Sequence, residues 1–249
     1  VIVLAIMLPM PLCHALEVSI APDHAQREVG HKVTVYLYAD NAIDLISMGV
    51  KVSFDPTVFQ VVDAQKYEDF DTGWVMDADG NPGGQFTLPA VEIDNVIGEV
   101  IMIGGRLMGD QTIGLSGKVL LGWIKFEAVD IGTSPLEIDL AKEHPDHPTN
   151  TFDNFVRRDG QVDEPQNVPV VFAEFCVKED ACEADANGDG SVDFFDLGEL
   201  RTTFNLDCST LPPGTPCSTD FNGDGKVDFF DLGIMRKDFN KENCLSCGP

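Results

Sequence analysis

The residue types best suited to chemistry lie in two acidic segments near the C-terminus. The segment DANGDGSVDFFDLGELRTTFN occupies positions 185–205, and DFNGDGKVDFFDLGIMRKDFN occupies positions 220–240. Fifteen of the 21 positions are identical at an offset of 35 residues. Side-chain oxygens recur at the same five positions of both copies, with a glycine at the sixth, so the repeats predict a pair of cation sites.

Positions 1, 3, 5, 9 and 12 of each repeat carry the side-chain oxygens, and position 7 offers a backbone carbonyl. This is the spacing of a calcium-binding loop, with Gly190 and Gly225 at the sharp turn. The predicted ligands are Asp185, Asn187, Asp189, Ser191, Asp193 and Asp196 in the first loop, and Asp220, Asn222, Asp224, Lys226, Asp228 and Asp231 in the second. Ser191 and Lys226 contribute their carbonyls.

We expect two calcium ions as the cofactor. Several carboxylates held so close together repel one another unless a divalent cation lies between them. Magnesium is the rival ion, but it prefers a small octahedral shell with retained water. An acidic turn that matches by chance is the other alternative, and the second copy with the same ligands and glycine argues against it.

The elements that must position these loops differ between the two parts of the chain. From Leu16 to about Val177 the residues alternate with period two: in VTVYLY, Val33, Val35 and Leu37 point one way. Many short strands separated by Gly, Pro and Asp predict an antiparallel β-sandwich. The expected fold class is therefore mainly β, with a small α unit of two calcium-loop and helix repeats at the C-terminus.

Charge and the first residues restrict the partners and the compartment. The formal net charge of −26 repels nucleic acid and anionic membrane surfaces, which excludes both as expected partners. The apolar run at positions 1–12, followed by Cys13-His14-Ala15, predicts the remnant of a signal peptide at 1–15. It is too short to span a membrane. We expect a secreted, extracellular protein with no membrane span in the mature chain.

Six cysteines remain after Cys13 leaves with the signal peptide, and all lie after residue 175. An even set in an exported chain favours disulfides. If the two repeats pack antiparallel, each helix end lies near the start of the other repeat. The predicted pairs, among many that six cysteines allow, are Cys208–Cys217, Cys182–Cys244 and Cys176–Cys247. A redox site at Cys244 and Cys247 is the alternative, and it lacks the usual βαβ context.

The sandwich part resembles a cohesin domain, the jelly-roll receptor of cellulosome-type assemblies. The resemblance is carried by VGHKVTVYLYA, MGVKVSFDPTVFQVV and LLGWIKFEAVDIGTSPLEIDL, in that order. It covers residues 16–175. The sequence DGQV near Asp159 resembles the last strand of that family, and the apolar run VPVVFAEFCV extends beyond the family pattern.

The C-terminal part resembles a dockerin module across residues 182–247. Both copies contain D-x-N-G-D-G-x-V-D-x-x-D-L, with Asp in place of the position-12 Glu of an EF-hand and no convincing helix before either loop. The implied domains are the sandwich at 16–175, a linker at 176–184 and a calcium-binding domain at 185–249. In dockerins the partner is contacted by loop positions 10 and 11 and helix positions 17 and 18. That implies a partner surface of Phe194, Phe195, Arg201, Phe229, Phe230, Arg236 and Lys237.

The alternative to this exposed surface is that phenylalanines of these pairs pack inside the small unit. We expect this for one ring of each pair but not for both. The resemblances imply a bacterial, non-catalytic scaffold or adaptor linked to polysaccharide binding and degradation. Its partners would be cohesin or dockerin modules of other secreted proteins, with self-association left open.

Two other functions remain possible for the sandwich. It could be a carbohydrate-binding module on a dockerin tail, for which an exposed row of aromatic side chains on one sheet would be the sign. Tyr67, Trp74 and Trp123 could form such a row, although Trp123 is expected in the core. A small hydrolase is disfavoured because no nucleophile motif or carboxylate pair stands out. Cation sites at Asp77–Asn81 or His144–Pro148 are minority interpretations, since both segments have the composition of turns.

Overall fold

The computed structural model describes residues 15–70, 91–105, 114–141, 143–144, 147–151 and 155–247. Its strands are β1 Glu17–Ala21, β2 Ala25–Arg27, β3 Lys32–Ser53, β4 Phe59–Lys66, β5 Glu92–Asp94, β6 Glu99–Gly105, β7 Leu115–Ala128, β8 Gly132–Leu140, β9 Glu143–His144, β10 His147–Thr151, β11 Val156–Arg157 and β12 Val170–Val177. Its helices are α1 Phe194–Thr203 and α2 Phe229–Asp238, with short 3₁₀ turns at Glu68–Phe70 and Cys208–Thr210. The described chain is therefore mainly β, as the sequence predicts.

The long strand β3 belongs to both layers of the sandwich. Its first half pairs with β1 and β7, and its second half pairs with β6, β8 and β11. Asn41 and Asp44 between the halves have positive φ angles of 59° and 51°, and the register with β7 shifts there. Short polar residues tolerate this left-handed backbone, so the strand can bend and change layers without ending.

One layer therefore contains β1, the first half of β3, β7 and β4, all antiparallel. The other contains β2, β12, β8, the second half of β3, β6 and β5 in that order. The predicted alternation is confirmed, because Val33, Val35 and Leu37 are all buried in the core between the layers. Phe126 lies in that core and meets Phe54 and Phe59 edge to face, at ring-centroid distances of 5.2 and 6.1 Å.

The last strand of the sandwich is β12. The resemblance implied that the last strand would be the segment DGQV near Asp159. Asp159 lies in a turn closed by the Arg157 amide on the Gln161 carbonyl at 2.8 Å, with Gly160 at φ 83°. The apolar run that follows forms β12, paired antiparallel with β8 and parallel with β2. Cys176 and Val177, placed in the linker by sequence, belong to this strand. The sandwich thus continues directly into the C-terminal unit.

The C-terminal unit has its own core, built with approximate internal symmetry. Val192 and Leu200 of the first repeat pack with Phe221, Val227 and Met235 of the second. Backbone bridges join the acidic loop of each repeat to the segment that follows the helix of the other repeat. They lie at Ser191–Glu242 and Asp207–Lys226. The two repeats therefore lie antiparallel, which is the arrangement assumed for the predicted cysteine pairs.

Candidate metal loops and partner surface

The two acidic loops have closely similar backbones and hydrogen bonds. Gly190 and Gly225, at position 6, have φ angles of 93° and 98°, a region in which other residues are strained. The Asp185 carboxylate accepts the amides of Asp189 at 3.1 Å and Gly190 at 2.9 Å, and Asp220 accepts those of Asp224 and Gly225 at the same distances. The position-1 carboxylate thus folds the loop around itself.

The aspartate at position 12 connects the loop to the helix. Asp196 is completely buried and accepts the amides of Ala186 and Asn187 from the loop start, and that of Asp193 at the helix start. Asp231 is equally buried and makes the corresponding bonds in the second repeat. With the N-cap aspartate at position 9, each forms a capping box for its helix. One carboxylate therefore fixes both the loop and the first turn of the helix.

The donor chemistry of both loops fits a hard divalent cation. Every predicted ligand atom is an oxygen, and most are carboxylate oxygens, which calcium prefers. Within the described residues, no three His, Cys, Asp or Glu side chains converge closely enough to form a metal cluster by themselves. A carboxylate oxygen that accepts one amide proton keeps a second lone pair, so these bonds and ion coordination are compatible.

Burial shifts the titration of several of these carboxylates. Desolvation raises the pKa of Asp220 to about 6, and the neighbouring charges of Asp231 and Asp224 add to this rise. Desolvation also raises the pKa values of Asp185 and Asp231, against the lowering effect of their backbone hydrogen bonds. The ionised loops are therefore costly when no cation compensates their charge.

All four phenylalanines of the predicted partner surface are exposed. Phe194, Phe195, Phe229 and Phe230 have exposed fractions of 72–76%, so the expectation that one ring of each pair packs inside is wrong. Phe194 contacts Phe239, and Phe229 contacts Phe204, edge to face at ring-centroid distances of 5.0 and 5.1 Å. The reason is that Leu200, Phe221 and Met235 already fill the small core.

The basic residues predicted for this surface separate into two groups. Arg201 and Arg236 are exposed on their helices. Lys237 forms an ion pair with Glu28, in the turn between β2 and β3 of the sandwich. Lys237 thus lies at a contact within the chain, which the sequence did not indicate.

The C-terminal unit packs on the outer face of the β1–β3–β7–β4 layer. The Tyr38 hydroxyl donates to the Gly214 carbonyl at 2.5 Å, and Gly214 lies against the side chain of Leu120 of β7. A cleft of about 480 Å³ between the two parts is lined by residues of both, including Tyr36 and the first aspartate of each loop. Trp123, which lies opposite Tyr36 in the strand register, is half-buried and faces outward. The expectation that Trp123 lies in the core is therefore wrong.

Gln26 joins the two parts at a buried contact. Its amide nitrogen donates to the carbonyls of Cys244 at 3.0 Å and Ser246 at 2.7 Å, and its oxygen accepts the Cys182 amide at 3.1 Å. One side chain thereby satisfies backbone groups at both ends of the C-terminal unit.

A second polar contact surrounds Glu183, which is also buried. Its carboxylate accepts the Glu28 amide at 2.9 Å and meets the His31 Nδ1 atom at 2.8 Å. The hydrogen bond to Glu183 raises the pKa of His31 in spite of its partial burial. Residues 181–184 are buried between the two parts and do not form an exposed connection.

Three disulfides connect the six cysteines, and the pairs coincide with those predicted. Cys208–Cys217 and Cys182–Cys244 lie within the C-terminal unit, with Cα–Cα distances of 5.8 and 5.2 Å. Cys176–Cys247 joins β12 of the sandwich to the end of the unit, also at a Cα–Cα distance of 5.8 Å. The attachment of the two parts is therefore covalent as well as polar.

Other sequence expectations fall partly outside the described residues. Trp74 and Asp77–Asn81 lie outside them, as do the signal segment 1–14 and the side chains of His144 and His147. No described helix is long and apolar enough to cross a membrane.

Comparison with known proteins gives a likeness in structure only. No protein-family model matches the sequence, and no curated protein matches it. Cohesin structures are among the similar solved chains. A chain of a type I cohesin–dockerin complex from Clostridium thermocellum has 13% identity and a TM-score of 0.44, covering 66% of this chain and all of that one.

Two single cohesins are similar at the same level. A type II cohesin from the cellulosome of Acetivibrio cellulolyticus has 15% identity and a TM-score of 0.40, covering 66% of this chain and 91% of that one. A non-cellulosomal cohesin from the archaeon Archaeoglobus fulgidus has 15% identity and a TM-score of 0.39, covering 65% and 91%.

The raised pKa of Asp220 predicts how the metal-free chain responds to pH. A carboxylate that binds its proton more tightly in the folded state stabilises the fold at low pH, and that stability is lost as the pH rises from about 4 to about 6. We expect the melting temperature in chelator to fall across this window. The fall should be smaller in Asp220→Asn, because the amide does not ionise.

Asp189→Asn is the matched control, since Asp189 is exposed at position 5 of the first loop. Its melting profile should follow that of the unsubstituted chain. If Asp220→Asn left the fall of the melting temperature with pH unchanged, that result would contradict ionisation of Asp220 as its cause. Differential scanning fluorimetry at a series of pH values measures all three proteins.

Replacing Gln26 tests the contact between the two parts. In Gln26→Ala, the buried Cys244 carbonyl and the buried Cys182 amide lose their hydrogen bonds to this side chain, and we expect a loss of about 3 kcal/mol in unfolding free energy. Gln65→Ala, an exposed position on β4, should change it by less than about 0.5 kcal/mol. Chemical denaturation monitored by fluorescence gives the unfolding free energies of both variants. Equal changes in this free energy for Gln26→Ala and Gln65→Ala would contradict a structural role for Gln26.

Proposed function

We propose that this chain is an exported, calcium-binding assembly protein without catalytic activity. Its C-terminal unit would dock through the four phenylalanines onto a β-sandwich module of another secreted protein. The observation that carries this proposal is the pair of exposed Phe-Phe steps on a unit that packs on its own sandwich through other residues.

The exposure of these rings favours a docking role. A large apolar side chain that is more than two-thirds exposed contributes little to the stability of the folded monomer. Neighbouring aromatic groups beside Arg are typical of interface hot spots. Arg201 and Arg236 lie seven residues beyond Phe194 and Phe229, that is, about two helical turns further along the same helices. The internal symmetry makes two similar patches, each able to bind the same kind of partner.

Calcium would hold the two patches in place. The ion in each loop would be bound by the side-chain oxygens at positions 1, 3, 5, 9 and 12 and the carbonyl at position 7, and would compensate their charge. Phe194 and Phe229 directly follow the position-9 aspartates that cap α1 and α2. An ordered loop therefore fixes the first turn of each helix, on which the rings stand.

The other sheet of the sandwich supports a protein receptor over a sugar site. Of the described strands in this layer, only β12 contains aromatic residues, and its Phe172 and Phe175 pack against the core. The outer surface there is mixed and polar, with Lys51 paired to Glu99 at 3.4 Å. Glycan modules need exposed rings for stacking, and the rings of the opposite layer at Tyr36 and Tyr38 lie against the C-terminal unit.

Secretion and the link to polysaccharide belong to the same proposal. Three disulfides are typical of an oxidising compartment outside the cytoplasm. An assembly protein of this kind would bring polysaccharide-degrading or polysaccharide-binding partners together. The high negative charge keeps such a chain soluble and away from nucleic acid.

The experiment uses the whole chain as bait, because Cys176–Cys247 ties the C-terminal unit to the sandwich. The prey is a panel of cohesin-type sandwiches that includes this chain's own residues 16–177. We expect capture in calcium and release in chelator. The double variant Phe194→Ala/Phe229→Ala should weaken binding by about 100-fold, the size of a lost hot-spot pair.

Val171→Ala is the control bait, since this side chain is 62% exposed on the sandwich and far along the chain from both patches. It should bind as the unsubstituted chain does. Capture that survives the loss of both phenylalanines, or binding to a glycan array in place of every sandwich, would contradict the proposal. Surface plasmon resonance gives the affinities.

A further inference from the structure

The two loops differ at position 4, although their sequences and backbones agree there. Gly223 is buried, and a Cβ atom on it would lie 2.6 Å from the carbonyl oxygen and 2.7 Å from the Cβ of Lys32. Gly188, its counterpart, is exposed, and a Cβ atom there would meet nothing within 4 Å. Their φ angles are 69° and 71°, so the difference lies in the surroundings alone.

The backbone of Lys32, the first residue of β3, contacts this turn directly. The Lys32 amide donates to the carbonyl of Asn222 at 3.3 Å, across from the sandwich to the second loop. Arg27 holds the other backbone polar group of the same residue, because its Nε donates to the Lys32 carbonyl at 3.0 Å. The second loop thus rests on a stretch of backbone that the sandwich itself keeps rigid.

Charges on the sandwich also face the second loop. Lys125 of β7 and Arg27 of β2 both interact electrostatically with Asp220. The charge and the hydrogen bonds that act most strongly on Asp185 come from its own repeat, from Asp196 and from the amides of Gly188, Asp189 and Gly190. The second loop is therefore matched to the sandwich in shape and in charge, and the first loop much less so.

We propose that the second loop is a calcium-dependent latch between the C-terminal unit and the sandwich. This rests on the calcium binding proposed above. Asn222 is both a predicted ligand, through its side chain, and the acceptor for Lys32, through its carbonyl. Calcium in this loop fixes the Asn222–Gly223 turn in the shape that fits the Lys32 backbone, so ion binding and seating on the sandwich strengthen each other.

The first loop has no such contact at position 4 and binds its ion without this coupling. The two calcium sites are therefore unequal in spite of their equal ligand sets. Coupling between binding sites is commonly about 5- to 150-fold in affinity.

Amide hydrogen exchange at Lys32 tests the latch in the unsubstituted, disulfide-bonded chain. Calcium calorimetry on the same sample serves as the reference. We expect the Lys32 amide to exchange at least tenfold more slowly in calcium than in chelator, measured by NMR or by mass spectrometry of a peptide covering the end of the β2–β3 turn. Equal exchange rates in the two conditions, with two ions bound, would overturn the latch and leave the proposed function standing. No uptake of calcium at all would overturn both.

Two matched variants separate the latch from loop folding. Gly223→Ala and Gly188→Ala both place an alanine in left-handed backbone, but only the first also meets Lys32. Gly223→Ala should abolish the protection of the Lys32 amide in calcium and weaken one of the two ions at least tenfold. Gly188→Ala should keep that protection. Identical behaviour of the two variants would overturn the proposal.

Discussion

The buried aspartate at position 12 of each repeat is the constraint on which the C-terminal unit depends. Asp196 and Asp231 are wholly buried, and each accepts amides from the start of its loop and from the cap of its helix. A buried ionised carboxylate is costly unless its charge is compensated. The loop amides supply part of that compensation, and a cation would supply the rest. Loop and helix start therefore form one interdependent structure, which a bound cation would complete.

This constraint also accounts for the exposed aromatic residues of the unit. Turning the position-12 carboxylate inward leaves positions 10 and 11 pointing outward, which exposes Phe194, Phe195, Phe229 and Phe230. The turn of the second loop meets the sandwich at Lys32, and Gln26 and Glu183 satisfy backbone groups between the two parts. The contact within the chain leaves all four rings exposed.

Much of this was predictable because it is local or repeated. The alternation of Val33, Val35 and Leu37 fixes a strand and its buried face, and ligand spacing fixes each loop. The antiparallel arrangement of two similar units brings the cysteines together in the predicted pairs. The calcium itself stays a prediction.

The contact between the two parts could not be predicted in the same way. Gln26 and Cys244 are more than 200 residues apart, and Gly223 differs from Gly188 only by what lies next to it. The run at 170–177 has the pattern of a strand, but its place between β2 and β8 depends on long-range pairing. The outward position of both phenylalanines in each pair depends on how small the core is, which is a property of the folded unit.

Calcium uptake by the chelator-stripped, full-length chain tests the central claim most directly. Isothermal titration calorimetry should give two calcium ions per chain, and magnesium at the same concentration should not displace them. Asp196→Ala and Asp231→Ala should each remove one ion. A stoichiometry of zero, or one that neither substitution changes, would contradict the account.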